Sequence, residues 1–486
     1  MRRKTFQPYI NKAMSNKGCT TNSSKATEAR MITAAQSFIH VSPAALAGGA
    51  AARSPLGRLK IELAKFPGLI GHSTSRVSRR INQDAYSLAL LRNEVFSNTP
   101  LLHMGVFDGH GSVESAVSQQ LAQGLHRSLA PSQGNSSRNM FFELLRRYKD
   151  QISGEYWEAM YKDRVGYYDR FIAHCNTKQE LVLFDTENRG SRMLFDHSGN
   201  LIDKNSLLNE QQRLTIISSY LQFDLEQCCG VASTDAKPDL QHLSELHPGG
   251  STASTLLLSR FEPGNEDAAL GSEDQSYFVS PTGLLKLIVT QVGDSKVLVC
   301  DANGVAHNLS RPHHADQTRE YKRLIHGEGD KRDLLSTDAF GEERFLSNFA
   351  NTRSFGDIPG KQEGISAEPD IYSYLIGNTR QLPHSEKAKL QFGGDECFIT
   401  IVTDGVSDVL SDQEIVDLVT STVNLRGLKV ATPQFVADEV VKFIVSVADR
   451  HADNATCLVL RLSNWGNWPS FDRTGASREQ KLLAAL

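Results

Sequence analysis

The sequence lacks the features that mark several large classes of protein. No stretch of its 486 residues approaches the roughly eighteen uninterrupted apolar residues that a membrane-spanning helix requires. Its seven cysteines are an odd number and match no zinc-binding spacing, so neither a disulfide framework nor a zinc site is indicated. There is no GxxxxGK[ST] loop and no Cys-x5-Arg segment. These absences exclude P-loop kinases, NTPases and cysteine-dependent phosphatases.

The small net charge of −4 conceals a strong asymmetry. Residues 1–60 contain ten lysines or arginines and one acid, a net of +9, which leaves −13 for residues 61–486. A segment with few acids, several arginines and many hydroxyl and small residues is typical of a mitochondrial transit peptide. A disordered basic tail is the alternative. We expect residues 1–60 to lie outside the fold, and the protein to be mitochondrial (matrix or intermembrane space) or otherwise cytoplasmic.

The remainder of the chain alternates between short apolar runs and helical patterns. Apolar, β-rich runs at 101–111, 284–300, 397–408 and 453–462 are bounded by Asp or Gly, as expected of buried strands. The run at 284–300 predicts a hairpin with its turn at Gly293 and Asp294. Helical patterns lie between these runs. We therefore expect an α+β fold with a central antiparallel β-sandwich flanked by helices.

Two segments do not fit this alternation. Residues 131–205 are polar and rich in tyrosine, and are interpreted as an insertion. Residues 305–350 are polar and irregular, and are interpreted as a flap-like region. With these included, one large domain is predicted over residues 61–465, followed by a tail at 466–486.

Aspartates stand at the ends of the predicted strands. Asp108 and Asp404 each end one strand, and Asp453 begins a third. Asp294 lies in the predicted turn, and Asp408 follows Asp404 by one helical turn. Carboxylates that gather at one sheet edge need a compensating cation. Mg²⁺ or Mn²⁺ suits such a set of oxygen ligands, although any single Asp-Gly is more often a simple turn.

Basic residues accompany these aspartates. His110 follows Asp108 in a D-G-H-G run, and Arg79 and Arg80 precede Asp84 in the SRRINQDAY segment. A histidine beside a metal site can protonate a leaving alkoxide, and an arginine can hold a phosphate in a bidentate manner. The alternatives are a solvated loop histidine and a surface salt bridge.

Eight segments in order resemble the motifs of metal-dependent serine/threonine protein phosphatases of type 2C, and a fungal-like mitochondrial member in particular. They are RRINQDAY (79–86), VFDGHG (106–111), GGSTASTLLL (249–258), VGDSKVLVC (292–300), LSRPHHADQTREYKRL (309–324), RSFGD (353–357), VTDGVSD (402–408) and DNAT (453–456). The resemblance covers most of residues 70–462 and implies that 61–465 is the catalytic domain.

The resemblance implies two Mg²⁺ or Mn²⁺ ions and a third, more loosely bound ion. By this resemblance, the binuclear site would consist of Asp108, the Gly109 carbonyl, Asp404 and Asp453. The third site would consist of Asp294, Asp404 and Asp408.

The resemblance also implies catalytic roles. Asp108 and Arg79 would act at the phosphate, with Arg80 in place of Arg79 if the register slips by one residue. His110 would be the general acid for the departing oxygen. The nucleophile would be the water that bridges the metals, so no phosphoenzyme is expected.

Two departures from the family pattern bear on activity. Gln83 stands where many members have a glutamate, which lowers the charge available to a metal. The RPHHAD stretch (311–316) replaces the usual flap motif. The expected function is dephosphorylation of phosphoserine and phosphothreonine on mitochondrial proteins, by a monomer. The alternative is a catalytically weak, 2C-like regulator that binds phosphoproteins. The −13 charge of residues 61–486 disfavours nucleic-acid binding and therefore a nuclease.

Overall fold

The structure is a computed structural model. It describes residues 34–41, 58–112, 116–129, 137–175, 193–196, 198–203, 206–233, 237–261, 275–278, 283–325, 335–337, 343–387 and 390–485.

Twenty strands are present in these ranges. They are β1 (Ala34–Gln36), β2 (Phe38–Val41), β3 (Leu59–Glu62), β4 (Ile70–Ser75), β5 (Ala85–Arg92), β6 (Leu101–Phe107), β7 (Gly109–His110), β8 (Met193–Phe195), β9 (Leu201–Asp203), β10 (Gly250–Ser251), β11 (Ala253–Arg260), β12 (Leu284–Val292), β13 (Lys296–Cys300), β14 (Ala306–Asn308), β15 (Leu335–Thr337), β16 (Glu343–Phe345), β17 (Phe355–Gly356), β18 (Asp370–Gly377), β19 (Phe398–Val402) and β20 (Ala455–Arg461).

The same ranges contain twelve α-helices, besides short 3-10 and π segments. They are α1 (Val117–Gly124), α2 (Ser137–Arg147), α3 (Glu155–Arg170), α4 (Glu210–Phe223), α5 (Leu240–Leu246), α6 (Thr318–Leu324), α7 (Ile358–Lys361), α8 (His384–Lys387), α9 (Asp404–Ser407), α10 (Asp412–Arg426), α11 (Pro433–Val447) and α12 (Gly475–Ala484). None of the described helices is long and apolar enough to cross a membrane.

Two antiparallel sheets form the centre of the fold. One has the strand order β1-β5-β6-β11-β12-β18 and the other β14-β13-β19-β20-β4. Met104 and Val289 of the first sheet and Val299 and Ile401 of the second share one buried apolar cluster. This is the core between the sheets. The predicted α+β sandwich is therefore confirmed.

Helices cover the outer faces of both sheets, which is why the strands are buried on both sides. Helices α1 to α4 pack on the first sheet and α10 and α11 on the second. Ser411 and Glu414 form the capping box at the start of α10, and Thr432 caps α11 ahead of Pro433. These caps satisfy N–H groups that the first turn leaves free.

The predicted hairpin at 284–300 is wrong. Strand β12 pairs with β11 and β18, whereas β13 pairs with β14 and β19, so the two strands belong to different sheets. The chain crosses from one sheet to the other at Gly293, whose φ is 94°. This positive φ favours glycine and turns the chain sharply. The crossing places Asp294 at the edge between the sheets.

The expectation that the fold begins after residue 60 also needs correction. Strand β1 pairs with β5 in the first sheet, from Ala34 opposite Arg92 to Gln36 opposite Leu90. Strand β2 pairs with β3, and Ile39 and Val41 are fully buried. Apolar side chains at alternate positions explain why this segment enters the core. The rest of the predicted transit segment, residues 1–33 and 42–57, lies outside the described residues.

The described part of the 131–205 segment is largely helical. Helices α2 and α3 and the short π segment between them bury Phe141, Tyr148 and Trp157 in the cluster on the first sheet. Tyr148 donates to the backbone carbonyl of Leu221 on α4 at 3.0 Å. The tyrosine-rich composition thus reflects a helical layer with hydrogen-bonded hydroxyls.

The described cysteines and the carboxyl-terminal segment both pack into the fold. All six described cysteines, including Cys228 and Cys229, are free and buried, as expected of structural thiols. Within residues 466–486, α12 packs on α10 through Lys481, which donates to Glu414 at 2.7 Å.

Candidate metal and phosphate site

Three aspartates converge where strands of the two sheets end. Asp108 directly follows β6, Asp294 lies in the crossing between β12 and β13, and Asp404 opens α9 just after β19. One carboxylate oxygen from each lies within 4.8 Å of the others. Strands from both sheets end at this edge, so the strand-end positions alone bring the three side chains together.

The carboxylates of this cluster repel one another. Burial, and next the charge of Asp404, raise the pKa of Asp108 well above its usual value. Burial and the charge of Asp294 raise the pKa of Asp404 in the same way. Such a cluster is stable in its ionised form only with a cation.

Unsatisfied oxygen atoms at the cluster fit a metal ion. Asp84, Asp294 and Asp404 each have a buried Oδ1 with no hydrogen-bond partner among the described residues. Buried carboxylate oxygens are otherwise almost always paired. Oxygen donors without N–H partners are the ligands that Mg²⁺ and Mn²⁺ prefer. The residues present therefore fit the predicted ions.

Asp84 belongs to this site, although the sequence interpretation used it only to set the register of Arg79. Its Oδ2 accepts hydrogen bonds from Thr456 Oγ1 at 2.6 Å and Thr403 Oγ1 at 3.1 Å. Burial raises its pKa to about 6 despite these bonds, and the charge of Asp453 adds to the effect. Asp84 immediately precedes β5, so the strand-end rule applied to Asp108 would have found it too.

Asp453 lies at the rim of the cluster. The antiparallel pairing of β19 with β20, with Val402 opposite Cys457, brings Asp453 beside Asp404. Asp453 is not one of the three converging carboxylates. Its Oδ2 instead accepts from Arg79 Nη2 at 2.7 Å, and both side chains are about half exposed.

Arg79 rather than Arg80 faces the site. The exposed Arg80 makes no ion pair with any part of the chain that the structure describes. Of the two candidate arginines, Arg79 is therefore the one that lies next to a carboxylate of the site, and it is also the one that the sequence register favours.

Gln83 lies beside the DGHG loop. Its Nε2 donates to the carbonyl of Ser112 at 3.1 Å, and its own N–H donates to Asn454 Oδ1 at 2.8 Å. The side-chain amide thus ties the DGHG loop to the segment before β5. It contributes no charge to the metal cluster.

Asp294 is tied to a histidine in the replaced flap motif. His314 Nε2 lies 3.1 Å from Asp294 Oδ2. Burial alone would raise the pKa of Asp294, but the hydrogen bond and charge of His314 lower it overall. Asp408 is exposed and lies one turn beyond Asp404, where its charge acts on both Asp404 and His314.

A three-stranded sheet positions His110. Strand β10 pairs with β7 on one side and β17 on the other, so that Gly250 stands opposite both His110 and Gly356. His110 Nε2 consequently lies 2.7 Å from Oδ2 of Asp357, which is buried and also accepts from Ser354 Oγ. Burial opposes the charged imidazole, but Asp357 outweighs it and raises the pKa of His110.

Because Gly250 has no side chain, the carboxylate of Asp357 can lie directly against it. A Cβ at this position would stand 2.3 Å from Asp357 Oδ2. Asp357 itself has a φ of 49°, in the left-handed region that Asp and Asn tolerate better than most residues. The sequence interpretation recorded both motifs but gave no role to Asp357, because 247 residues separate it from His110.

The chain is similar in sequence to known proteins. A protein-family profile described as Protein phosphatase 2C matches residues 188–453, more than half of the chain. The chain is 26% identical over 412 residues to Protein phosphatase 2C homolog 4 of Schizosaccharomyces pombe, covering 84% of this chain and 83% of that protein. It is 25% identical over 186 residues to Protein phosphatase 1K, mitochondrial, of Xenopus laevis, covering 38% of this chain and 42% of that protein. The solved serine-threonine phosphatase 2C from Toxoplasma gondii has 15% sequence identity and a TM-score of 0.45, covering 81% of this chain and 94% of that chain.

Proposed function

Because the chain belongs to the protein phosphatase 2C family of metal-dependent serine/threonine phosphatases, we propose that Asp108, Asp294 and Asp404 form the core of its Mg²⁺ or Mn²⁺ site. The Gly109 carbonyl, Asp453 and Asp408 complete the ligands. The observation that supports this most strongly is the convergence of three carboxylates within 4.8 Å, with buried oxygens that have no hydrogen-bond partner among the described residues and suit a cation. When bound in such a site, divalent ions polarise phosphoryl oxygens and lower the pKa of water.

Arg79 binds the phosphate group of the substrate. Its guanidinium is half exposed and lies at the rim of the cluster, next to Asp453. A planar guanidinium can offer two N–H groups to two phosphate oxygens, which orients the phosphorus over the carboxylates.

His110 donates a proton to the serine or threonine oxygen that leaves. Its Nε2 is held by Asp357, so Nδ1 is the nitrogen available to the substrate. The Asp357 carboxylate keeps the imidazole protonated at higher pH than usual, and a general acid must be protonated before it acts.

Release of phosphate tests the activity. The purified full chain should liberate phosphate from phosphoserine and phosphothreonine peptides with Mn²⁺ or Mg²⁺, and not with EDTA. The alternative, a phosphoprotein-binding regulator, predicts binding of the same peptides without turnover at any metal concentration. Gln83→Glu should lower the metal concentration needed for half-maximal activity if the missing charge weakens metal binding.

The physiological substrates are mitochondrial phosphoproteins, and the enzyme acts as a monomer in the matrix or intermembrane space. The +9 charge of residues 1–60 supports this localisation, as does the printed name of the Xenopus laevis relative. Residues 1–60 fused to a fluorescent protein should co-localise with mitochondria, whereas a fusion with Arg2, Arg3 and Lys4 replaced by glutamine should not. A wild-type fusion that stays in the cytosol would contradict the proposal.

A further inference from the structure

A cavity lies away from the carboxylate cluster, between the helical layer and the first sheet. It measures about 350 Å³ including its open mouth. Its walls come from α3, the residues around β9, α4 and the start of β18. Three arginines line it, namely Arg164, Arg213 and Arg353, and all three are at most 3% exposed. Guanidinium groups buried together require matching negative charge.

Two of the three arginines are paired with carboxylates. Arg164 Nη2 lies 2.7 Å from Glu368 Oε2. Arg353 Nη2 lies 2.8 Å from Glu320 Oε1, and its Nη1 lies 3.4 Å from Asp370 Oδ1. These pairs hold the two guanidinium groups in fixed positions on the cavity wall.

Arg213, the third arginine, has no carboxylate partner among the described residues. Its Nη2 donates to Ser206 Oγ at 2.7 Å, and its guanidinium lies over the ring of Phe171, 5.1 Å from the centroid. Its buried Nε has no hydrogen-bond partner. Among the residues that the structure describes, no carboxylate forms an ion pair with Arg213. Among the three arginines of the cavity wall, Arg213 is therefore the one whose charge no ion pair with a described residue offsets.

We propose that this cavity binds a small tetrahedral oxyanion, inorganic phosphate, with Arg213 as its charge partner. The planar guanidinium presents N–H donors in a fork that matches two oxygens of such an ion. The arginines that line the cavity are buried, so the proposed ligand is the free ion rather than a phosphorylated peptide. Phosphate is also a product of the reaction of this family, which makes it available wherever the enzyme works.

The site has a structural connection to the catalytic residues. Arg353 begins the RSFGD segment, and Asp357, which holds His110, is four residues further along. An anion beside Arg353 would fix the start of this segment. The inference concerns binding alone and does not depend on the phosphatase activity.

Thermal unfolding of the full chain in Mg²⁺ tests the proposal, with potassium phosphate compared against potassium chloride at equal ionic strength. We expect phosphate to raise the melting temperature of the wild type progressively with concentration, because a ligand stabilises the state that it binds. Arg213→Met should lose this phosphate-dependent shift. Arg170→Met, which removes a half-exposed arginine of α3, should retain it.

Three further variants keep the outcome unambiguous. The shift should persist in Asp404→Asn and Arg79→Ala, in which phosphate binding at the catalytic site is impaired. If Arg213→Met does not fold, Arg213→Lys should require at least tenfold more phosphate for the same shift. The proposal is overturned if phosphate acts no differently from chloride, if Arg213→Met keeps the full shift, or if Asp404→Asn and Arg79→Ala abolish it. An equal shift with acetate would also overturn the assignment to a tetrahedral oxyanion.

Discussion

His110 Nε2 and Asp357 Oδ2 lie 2.7 Å apart although 247 residues separate them in the chain. The two-residue strand β10 lies between β7, which contains His110, and β17, which ends just before Asp357, and this pairing sets the contact. The pair joins the metal-proximal DGHG loop to the RSFGD segment. In the proposed mechanism Asp357 is therefore a positioning residue, since it would act on the substrate only through His110.

Asp357→Asn should lower kcat by about tenfold to a hundredfold, because a misplaced general acid loses most of its contribution. Asparagine has the same shape and tolerates the left-handed backbone, so the fold should persist. Loss of the carboxylate lowers the pKa of His110, and the basic limb of the kcat–pH profile should move to lower pH. An unchanged profile with a reduced rate would indicate a merely structural role.

Gly250→Ala tests the same contact from the other side. The added methyl group would stand 2.3 Å from Asp357 Oδ2 and must displace the carboxylate. We expect the same direction of change in kcat and in the pH profile as with Asp357→Asn. The double variant should be little worse than either single variant, because both remove one interaction. Additive losses would contradict this explanation.

Arg79→Ala should reduce kcat/KM for a phosphopeptide by about tenfold to a hundredfold, the effect expected for losing charge-assisted hydrogen bonds to phosphate. Arg80→Ala is the matched control, since Arg80 is adjacent and exposed. Steady-state kinetics of the two variants side by side decide the register. A larger effect of Arg80→Ala would assign the phosphate contact to Arg80 instead.

Asp404→Asn should reduce the phosphatase activity by about a hundredfold to a thousandfold. In EDTA the same variant should be more stable than the wild type, because it removes a buried charge that its neighbours repel. Denaturant unfolding with Mg²⁺ and with EDTA measures the free energy of unfolding of the metal-bound and the metal-free protein. The exposed Asp169→Asn provides the control. A variant destabilised in EDTA would argue against charge repulsion in the cluster.

Glu396 should make the fold less stable as pH rises. Burial raises its pKa from 4.5 to about 7, although Gly377 and Gly394 N–H groups donate to it. Between these values the folded state holds a proton that the unfolded state has lost, so the free energy of unfolding falls with pH, by about 3 kcal/mol in total.

Glu396→Gln removes this titration. Its unfolding free energy should therefore depend less on pH between 5 and 8 than that of the wild type. Glu479→Gln, on the exposed face of α12, should behave as the wild type. Equal pH dependence in the wild type and Glu396→Gln would show that Glu396 does not titrate in this range.

The sandwich and much of the site could be predicted because both depend on local signals. Apolar runs ending in Asp108 and Asp404 define buried strands, and such strand ends meet at one edge. The crossing at Gly293 could not be predicted, because two apolar runs separated by a glycine have the same sequence pattern in a hairpin and in a change of sheet. The difference lies in the partners β18 and β19, which come much later in the chain.

The contact of His110 with Asp357 escaped prediction for a similar reason. It depends on the register of a three-stranded sheet whose strands have only two residues each. Strands that short carry no periodic pattern in the sequence. Arg213 also gave no signal, because an arginine in an amphipathic helix is normally solvent-exposed.

Strand β1 lies at the edge of the first sheet, where Ala34–Gln36 occupies the hydrogen-bonding groups of β5 at Leu90–Arg92. A protein shortened to begin at residue 61 would leave that row of N–H and C=O groups uncovered. Open edges of this kind pair with other chains and drive aggregation. Any protease that trims the amino terminus must therefore cut before Ala34 if the enzyme is not to aggregate. Recombinant versions should begin at Ala34 or earlier.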